Sequence, residues 1–303
     1  MTVALRELLR ITPQQLRAFE ATARLGAVTR AARELHITQP TVSVQLKELA
    51  QTVGAELFLK SGRGIALTQA GEALALTIND IHDCWRRFET TLSDLQGLIQ
   101  GRLRISAVTT AEYFVPDLLG PFAQAYPGVD VELIVDSRER IVERMQRFAD
   151  DVTVMTLPPQ DLPLAQLPFR DNPVVVIAAQ DHAYAGRRCS LEDLANDSWL
   201  MREPGSGTRR LAEDHFRGVG FEAQVRMSLG SNEAIKHAVR AGLGLGVIAE
   251  IALQPHAPGL SIVQVDGFPL QRRWQVVYRR DRPLSSAAQA LVRYLQDSPH
   301  ERA

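Results

Sequence analysis

Residues 29–49 read Thr-Arg-Ala-Ala-Arg-Glu-Leu-His-Ile-Thr-Gln-Pro-Thr-Val-Ser-Val-Gln-Leu-Lys-Glu-Leu. The first third predicts a short helix, because Ala31, Ala32 and Leu35 recur at a spacing that places them on one apolar face. Residues 36–38, His-Ile-Thr, then predict a tight turn before a second apolar period begins. The stretch therefore predicts two helices that cross closely, with small residues on the first.

The second helix begins with a capping signal. Thr38 or Gln39 can cap it, and Pro40 suits a first turn, where no backbone N–H is needed. The apolar residues at helical spacing are Val42, Leu46 and Leu49. The side chains left toward solvent are Gln39, Thr41, Ser43, Val44 and Lys47. Most of these are short and polar, so they can approach base edges in a major groove of DNA.

The alternative is an ordinary αα-hairpin inside a helical domain, and the residues that follow argue against it. After Gly54 comes a short apolar run, residues 57–59, and then Lys60-Ser61-Gly62-Arg63-Gly64. This order suits a two-stranded wing with a flexible basic tip, placed to touch a phosphate or a minor groove.

Charge is unevenly divided along the chain. Residues 1–65 carry nine basic and five acidic side chains, which is a net charge of +4. The whole chain has a net charge of −1, so the remainder carries −5. The basic N-terminal segment suits a polyanionic partner, whereas the acidic remainder of the chain would be repelled by it.

This segment resembles the DNA-binding domain of the LysR-type transcriptional regulators, and the family's length and layout match the whole chain. The matching positions span the segment: Phe19, Thr29, Ala31, Ala32, Leu35, Gln39, Pro40, Val42, Ser43, Leu46, Leu49, Gly54, Leu57, Phe58, Gly62, Arg63, Leu67, Thr68, Ala70 and Gly71. The chain departs from the family at Ala27-Val28, where Ser-Phe is usual, at Ala50, where Glu is usual, and at Lys60, where Arg is usual.

Together the motif and the resemblance imply double-stranded DNA as a partner. The expected DNA-binding residues are Thr29, Arg30, Thr38, Gln39, Pro40, Thr41, Ser43, Lys47 and Arg63. The resemblance also implies a homodimer or homotetramer on an interrupted inverted-repeat operator, with RNA polymerase recruited or blocked.

Composition limits the number of domains and the class of protein that the chain can be. The chain has 303 residues, 45% hydrophobic and 23% charged, as in ordinary globular proteins with two or three domains. It has no apolar leader and no long uncharged apolar run, so we expect a cytoplasmic protein and no membrane partner. Cys84 and Cys189 lie far apart without a metal-ligand spacing, so we expect two buried thiols and no metal site.

A long helix is expected over residues 69–98, capped by Thr68 and ended by Gly101. Its apolar residues follow the 4, 3 spacing of a coiled-coil seam: Leu74, Ile78, Ile81, Trp85, Phe88, Leu92, Leu95 and Ile99. Packing against its own domain is one way to cover this seam. A coiled-coil dimer with a second copy is the other, and it is the one we favour.

From residue 102 onward strands alternate with helices, which predicts α/β sheets covered by helices on both faces. The full expectation is an α+β multi-domain chain. A winged helix-turn-helix covers residues 1–67 and a linker and dimerisation helix residues 68–100. The resemblance implies an effector-binding domain over residues 101–303 that is similar to periplasmic solute receptors. Its expected subdomain I covers residues 101–168 and 267–303, and subdomain II residues 169–266.

Three junctions in this body lead into helices and offer hydroxyl or amide groups beside free backbone N–H groups: Thr109-Thr110, residues 204–209 and Ser231-Asn232. If they meet at the carboxyl ends of the strands, they form a site for an anion. Alternatively, each is a plain helix cap. The expected effector-binding residues are Thr109, Thr110, Arg202, Gly207, Thr208, Arg209, Ser231, Asn232 and Lys236.

A finer resemblance is to the LysR-type regulators of Calvin-cycle RuBisCO operons. It is carried by residues 108–114, 171–173, 202–209, 230–236 and 272–274. It implies activation of a CO2-fixation operon by an effector such as ribulose bisphosphate, phosphoenolpyruvate or NADPH. The alternatives are a regulator of another operon with a carboxylate effector, and a solute receptor or enzyme with an incidental helical head.

No catalytic motif stands out. The string Gly242-Leu243-Gly244-Leu245-Gly246 follows a helix and leads into a strand, which is the wrong order for a nucleotide-binding turn. We expect its glycines to end the helix and let backbones pack closely. Neither a nucleophile elbow nor a Walker loop is present, so we expect no enzyme activity.

Overall fold

A computed structural model describes residues 5–61, 64–96, 99–253 and 257–297. The chain divides into two compact units, Met1–Trp85 and Arg86–Ala303. The boundary falls inside the long helix rather than at either of its ends, so this helix belongs to both units. In the part of the chain that the structure describes, no helix is both long and apolar enough to cross a membrane.

The first unit is a winged helix-turn-helix, as expected. Its helices and strands are α1 (Leu5–Leu8), α2 (Pro13–Leu25), α3 (Val28–Glu34), α4 (Gln39–Val53), β1 (Phe58–Ser61) and β2 (Gly64–Leu67). Strands β1 and β2 pair antiparallel and form the wing. A capping box between Thr12 and Gln15 begins α2, and Gly26 ends it in the left-handed conformation.

Two apolar clusters hold this unit together. One joins α2, α3 and α4 through small residues such as Ala18, Ala31 and Val42. The other contains Phe19, Leu49, Leu57 and Ile78. Small side chains in the first cluster let the helices approach closely, which is why Ala dominates there.

The long helix α5 (Gln69–Gln96) begins with its expected cap, since the Thr68 hydroxyl accepts a hydrogen bond of 3.0 Å from the Gly71 N–H. Leu74 and Ile78 pack into the apolar cluster of the winged unit. For this first part of the seam, packing against the helix's own domain is therefore correct. Further along, the exposed apolar seam residues are Ile81, Trp85, Phe88 and Leu92.

The C-terminal half of α5 and the residues that follow it bear on three of the predictions made from the sequence. Cys84 is exposed, contrary to the expectation of a buried thiol, because it lies on the part of α5 beyond Ile78, where Ile81 and Trp85 are exposed too. Gly101 begins the next strand instead of terminating the helix, and residues 97–98 lie outside the described residues. The side chain of Leu95 is also outside them, whereas Ile99 packs against the core of the second unit.

The second unit has two lobes, each built on its own sheet. The strands of lobe I are β3 (Gly101–Val108), β4 (Val129–Asp136), β5 (Val152–Met155), β6 (Leu164–Asp171) and β13 (Arg273–Arg279), in the order β4-β3-β5-β13-β6. Its helices are α6 (Val115–Ala125), α7 (Arg138–Gln146) and α10 (Ser286–Asp297). A short 3-10 turn, Thr109–Tyr113, follows β3.

The strands of lobe II are β7 (Val174–Ala179), β8 (Arg188–Cys189), β9 (Ser198–Arg202), β10 (Gln224–Leu229), β11 (Leu245–Ala249) and β12 (Leu260–Val265). Their order is β10-β9-β11-β7-β12-β8. Helices α8 (Gly207–Gly218) and α9 (Asn232–Arg240) belong to this lobe. Short 3-10 turns cover Glu192–Leu194 and Glu250–Leu253. Cys189 is buried in this lobe, as expected.

The chain passes twice between the lobes. Strand β6 continues through Pro168, which pairs with Gln275, so the first crossing lies later than expected, between Asp171 and Val174. The return crossing leads from β12 to β13, and Leu270 forms an antiparallel bridge to Val174 beside it. The two crossing segments therefore lie side by side, as a two-lobed body with a hinge requires.

The glycine string at residues 242–246 serves close packing, as expected. A Cβ atom on Gly244 would lie 2.3 Å from the carbonyl oxygen of Ser198, and one on Gly246 would lie 2.7 Å from Cγ2 of Ile235. These glycines let α9 and strand β11 approach their neighbours, and they form no nucleotide-binding turn.

Candidate functional site

The second helix of the helix-turn-helix is positioned by its caps. The Thr38 hydroxyl accepts a hydrogen bond from the Thr41 N–H at 3.3 Å and lies 2.8 Å from the Thr41 hydroxyl. Gly54 ends α4 in the left-handed conformation, with φ at 73°. Val42 and Leu49 are fully buried, so the opposite face of α4 is turned outward.

The polar residues expected to contact DNA lie on the surface of this unit. The exposed ones are Thr29, Arg30, Thr38, Gln39, Pro40, Thr41, Ser43 and Lys47. Arg63, at the expected tip of the wing, lies outside the described residues. The exposed set combines hydroxyl and amide groups with two cations, which suits contacts to base edges and phosphates.

A cleft of about 390 Å³, part of it open to solvent, lies between the two lobes of the second unit. Its wall combines the carboxyl ends of strands from both sheets with the amino ends of helices. The polar lining residues are Thr109, Thr110, Arg138, Thr156, Asn172, Arg202, Glu203, Ser206 and Thr208. Ligands of open α/β sheets bind at such positions.

One group of expected effector residues meets around the guanidinium of Arg202, which is 2% exposed. Its Nη2 donates to the Thr109 hydroxyl at 2.9 Å, and its Nη1 donates to the Thr110 hydroxyl at 3.3 Å and to the Asn232 amide oxygen at 3.1 Å. Asn232 also donates to Thr110 at 3.1 Å. Arg202, at the end of β9, therefore ties lobe II to the turn that follows β3 in lobe I.

The charge of Arg202 is balanced from within the chain. Glu203 accepts hydrogen bonds from Nε at 2.8 Å and from Nη2 at 2.9 Å. This is the two-point geometry that makes a guanidinium–carboxylate pair strong. A further contact runs from Nη2 to the carbonyl oxygen of Gly230 at 3.4 Å. The donors of Arg202 are thus all directed at protein atoms.

The amino end of α8 forms a second part of the cleft. Ser206 and Thr208 are buried, and Ser206 precedes α8 without a side-chain cap hydrogen bond. A Cβ atom on Gly207 would lie 3.3 Å from the Thr156 hydroxyl, so the lobes approach closely at this glycine. The first N–H groups of α8 and the positive end of its dipole favour negative charge here.

The polar lining residues that the sequence-based set lacked are Arg138, Thr156, Asn172, Glu203 and Ser206. Arg138, at the start of α7, donates through Nε to the Leu157 carbonyl at 3.1 Å, and no hydrogen bond joins its Nη1 or Nη2 to a described residue. Burial lowers the pKa of Arg138, and the charge of Arg210 lowers it further. Asn172, in the first crossing, is 5% exposed, and its amide oxygen has no hydrogen-bond partner among the described residues.

A signal for Arg138 existed in the sequence. Ser137 and Arg138 follow a strand and begin a helix, and the Ser137 hydroxyl accepts from the Arg140 N–H at 3.4 Å. This is the same strand-to-helix junction that marked Thr109-Thr110 and Ser231-Asn232. No comparable signal pointed to Asn172, since its position depends on how the two lobes meet.

Arg209, Ser231 and Lys236 do not line the cleft, although Arg209 donates to the carbonyl oxygen of Arg202 at 3.0 Å. Arg209 bonds to Glu213 at 2.6 Å and to the Ser228 hydroxyl at 2.7 Å. Lys236 pairs with Glu233 at 2.6 Å and donates to a backbone carbonyl at 2.8 Å. Ser231 caps α9. Gly207 and Thr208, by contrast, line the cleft.

Family models match both units. The model for the bacterial regulatory helix-turn-helix protein of the lysR family matches residues 13–72, and the LysR substrate binding domain model matches residues 96–299. The chain belongs to the LysR family. It is accordingly a transcriptional regulator with a helix-turn-helix domain and an effector-binding domain.

The relatives of this LysR regulator include proteins named as RuBisCO operon transcriptional regulators. It is 41% identical to the HTH-type transcriptional activator CmpR of Synechocystis, over 94% of each chain. It is 40% identical to the RuBisCO operon transcriptional regulator of Acidithiobacillus ferrooxidans, over 94% of this chain and 93% of the relative. The expected resemblance to RuBisCO-operon regulators is thereby confirmed.

Solved structures agree with this assignment. The regulatory domain of Synechocystis CcmR in complex with 2-PG is 42% identical, with a TM-score of 0.62, and covers 65% of this chain and 96% of that domain. Full-length CbnR in complex with its target DNA has a TM-score of 0.65 over 93% of this chain, at 20% identity. The second likeness supports the fold of the whole chain.

Proposed function

We propose that this LysR regulator controls an operon for CO2 fixation and that a small phosphorylated anion, bound in the cleft between the lobes, sets its activity. The observation that carries this proposal is the free end of Arg138, a half-buried cation whose outer nitrogens meet no described residue. Asp161 favours the charged form of Arg138 but makes no ion pair with it, so the half-buried cation remains costly and an anion entering the cleft would relieve that cost.

Other groups in the cleft suit the same ligand. The amino end of α8 supplies N–H groups and the Thr208 hydroxyl, and Asn172 supplies an amide. These are the groups with which proteins hold phosphate oxygens. We therefore propose an effector-binding set made of lining residues, with Asn232 behind them: Thr109, Thr110, Arg138, Thr156, Asn172, Arg202, Ser206, Gly207 and Thr208.

A related solved structure and the family resemblance each suggest candidate ligands. The CcmR domain that resembles this chain was solved with 2-PG, which is 2-phosphoglycolate. The resemblance to RuBisCO-operon regulators adds ribulose bisphosphate, phosphoenolpyruvate and NADPH. Each of these compounds carries at least one phosphate group, which the cation and the helix amino end in the cleft would hold.

On the DNA side, we propose that the exposed residues of α3 and α4 contact the operator, with Arg63 at the wing.

The exposed apolar seam of α5 suits pairing with a second copy, because such a stripe of large side chains calls for a cover. The two α4 helices of such a dimer would contact the two halves of an interrupted inverted repeat. Such a regulator would work in the cytoplasm, where it meets DNA and RNA polymerase, and it would need no enzyme activity.

The test combines ligand binding with footprinting. Full-length protein is titrated with 2-phosphoglycolate, ribulose bisphosphate, phosphoenolpyruvate, NADPH and a panel of non-phosphorylated carboxylates, and its protection of the upstream DNA of neighbouring genes is mapped. We expect one phosphorylated compound to bind and to change the footprint. Binding of a non-phosphorylated carboxylate alone would instead favour a regulator of another operon.

A further inference from the structure

The Arg202–Glu203 pair combines a deeply buried cation with a more exposed anion. The side chain of Arg202 is 2% exposed and that of Glu203 is 28% exposed. Both residues line the cleft. A buried guanidinium requires a counter-charge, and in the described residues Glu203 is the acidic side chain bonded to it. The counter-charge is therefore held by the member of the pair that solvent reaches.

Glu203 is also connected to the part of the cleft that would hold an anion. It begins the turn that leads into α8, in which the Ser206 N–H donates to the Glu203 carbonyl at 3.1 Å. Pro204 and Gly205, between them, are exposed. Glu203 therefore belongs to the same turn that presents Ser206, Gly207 and Thr208 to the cleft.

A phosphate or carboxylate group can replace Glu203 at Arg202 without loss of geometry. Both groups accept two parallel hydrogen bonds from one edge of a guanidinium, as Glu203 does with Nε and Nη2. The other donors of Arg202 would keep their bonds to Thr109, Thr110 and Asn232. The exchange would free the carboxylate of Glu203 toward solvent while Arg202 stays tied to lobe I.

We propose that Glu203 is a built-in competitor for the anionic effector: it occupies the Nε and Nη2 edge of Arg202 in the unliganded protein and yields that edge to the ligand. This inference rests on the proposed function, because it requires an anion in the cleft. It makes Glu203 a regulatory residue that sets the ligand concentration at which the protein responds. Its release from Arg202 couples ligand entry to the turn before α8.

The experiment removes the internal anion. Glu203→Gln keeps the size of the side chain but removes the charge that the ligand must displace. We expect the full-length variant to bind 2-phosphoglycolate or inorganic phosphate about tenfold more tightly than the wild type, by calorimetry. The ligand should also raise the melting temperature of this variant more than that of the wild type, because the variant leaves Arg202 without its counter-charge.

The matched control is Glu213→Gln. Glu213 is an acidic residue of the same lobe that pairs with Arg209 at 2.6 Å and does not line the cleft. We expect its ligand affinity to stay within about twofold of the wild type, since the side chain of Glu213 is 41% exposed and its charge is screened by solvent and salt. An equal gain of affinity in both variants would mean a general effect of net charge and would overturn the inference.

Different binding results would overturn the inference and the proposed function. If the wild type and Glu203→Gln both ignore every anion offered, the proposed function fails and the inference with it. If the wild type binds an anion and folded Glu203→Gln binds it equally or more weakly, only the inference is overturned. Should Glu203→Gln fail to fold, Glu203→Asp decides, because the shorter carboxylate keeps the charge but weakens the two-point contact. That variant should bind the anion more tightly than the wild type, and equal or weaker binding overturns the inference.

Discussion

The hydroxyl group of Tyr113 donates a hydrogen bond of 2.7 Å to the carboxylate of Glu233. Tyr113 ends the 3-10 turn after β3 in lobe I, and Glu233 lies in the first turn of α9 in lobe II. The Lys236 ammonium lies 2.6 Å from the same carboxylate and 5.6 Å from the centre of the Tyr113 ring. Together with Arg202, this cluster joins the two lobes beside the cleft.

The Tyr113–Glu233 contact should stabilise the protein in a pH-dependent way. Burial alone would raise the pKa of Glu233, but the hydrogen bonds from Lys236 and Tyr113 outweigh it and hold the pKa below the ordinary 4.5. Burial and Glu233 also raise the pKa of Tyr113, which keeps its hydroxyl protonated. A carboxylate with a depressed pKa stabilises the fold fully above its unfolded pKa and loses this contribution as the pH falls through the folded pKa.

Tyr113→Phe tests this link. We expect the free energy of unfolding to fall by up to about 1 kcal/mol near neutral pH, since the carboxylate is half-exposed and its hydrogen bonds are screened. The difference from the wild type should shrink as the pH falls from 4.5 toward the lower pKa of folded Glu233, where its carboxylate becomes protonated. Urea unfolding at two pH values measures it, and a difference independent of pH would contradict the link.

Arg138→Ala should uncouple the protein from its ligand. Arg138 offers the cleft two guanidinium nitrogens that bond to no described residue, so its loss should weaken anion binding by about 10–100-fold. The control is Arg140→Ala, two positions along α7, because Arg140 is largely exposed and pairs with Glu143. Calorimetry with 2-phosphoglycolate measures the affinity, and DNA affinity without ligand should be equal for all three proteins. Unchanged ligand affinity in Arg138→Ala would show that the ligand is held elsewhere.

Gln39→Ala and Ser43→Ala should each reduce operator affinity by about 1–3 kcal/mol if their side chains read a base edge. The control is Gln51→Ala, which removes an exposed glutamine near the other end of α4. The dependence of binding on salt should be the same in all variants, since neither residue carries a charge. Gel shifts with operator and unrelated DNA measure the discrimination, and variants that discriminate as well as the wild type would refute this placement of α4.

Gly71→Ala should destabilise the winged unit. A Cβ atom on Gly71 would lie 2.2 Å from the Leu57 carbonyl oxygen, so α5 would have to move away from the strand region. Such crowding costs about 1–3 kcal/mol. At Gly218, the last residue of α8, a Cβ atom meets nothing within 4 Å, and Gly218→Ala should instead stabilise by about 0.4–1 kcal/mol. Opposite shifts in melting temperature would support both statements, and a stable Gly71→Ala would contradict the first.

Ala27→Ser should stabilise the helix-turn-helix. Ala27 precedes α3 in an extended conformation and makes no side-chain cap hydrogen bond. A serine hydroxyl there can accept a hydrogen bond from an N–H of the first turn, which contributes about 1 kcal/mol. Thr38→Ala, which removes the existing cap of α4, should change stability in the opposite direction. Thermal unfolding measures both, and a lower melting temperature for Ala27→Ser would contradict the capping explanation.

The winged unit could be predicted in detail because its signals are local. Thr38, Pro40 and Gly54 mark the ends of α4 in the sequence, and the structure uses them as caps. The α/β body was predicted only in outline. Its individual strands are harder to recognise in the sequence, since β6 contains Pro168 and β9 is short and nearly continuous in apolar residues.

The candidate cleft shows the same division between local and long-range information. Thr109, Thr110 and Thr208 follow a visible rule, in which a strand leads into a helix. Sequence could not distinguish the roles of Arg202 and Arg209, because one faces the junction of the lobes and the other bonds to Glu213. Asn172 joins the cleft through the crossing between sheets, which depends on contacts far apart in sequence.

Strand β13 lies between β5 and β6, although more than a hundred residues of lobe II separate it from them in sequence. During synthesis, the sheet of lobe I therefore stays open until almost the whole chain has left the ribosome, whereas lobe II has all its strands earlier. Trp274, on β13, also lines the cleft. A chain that ends before Arg273 would lack an inner strand of the lobe I sheet and part of the wall of the cleft, even though its DNA-binding unit would be complete.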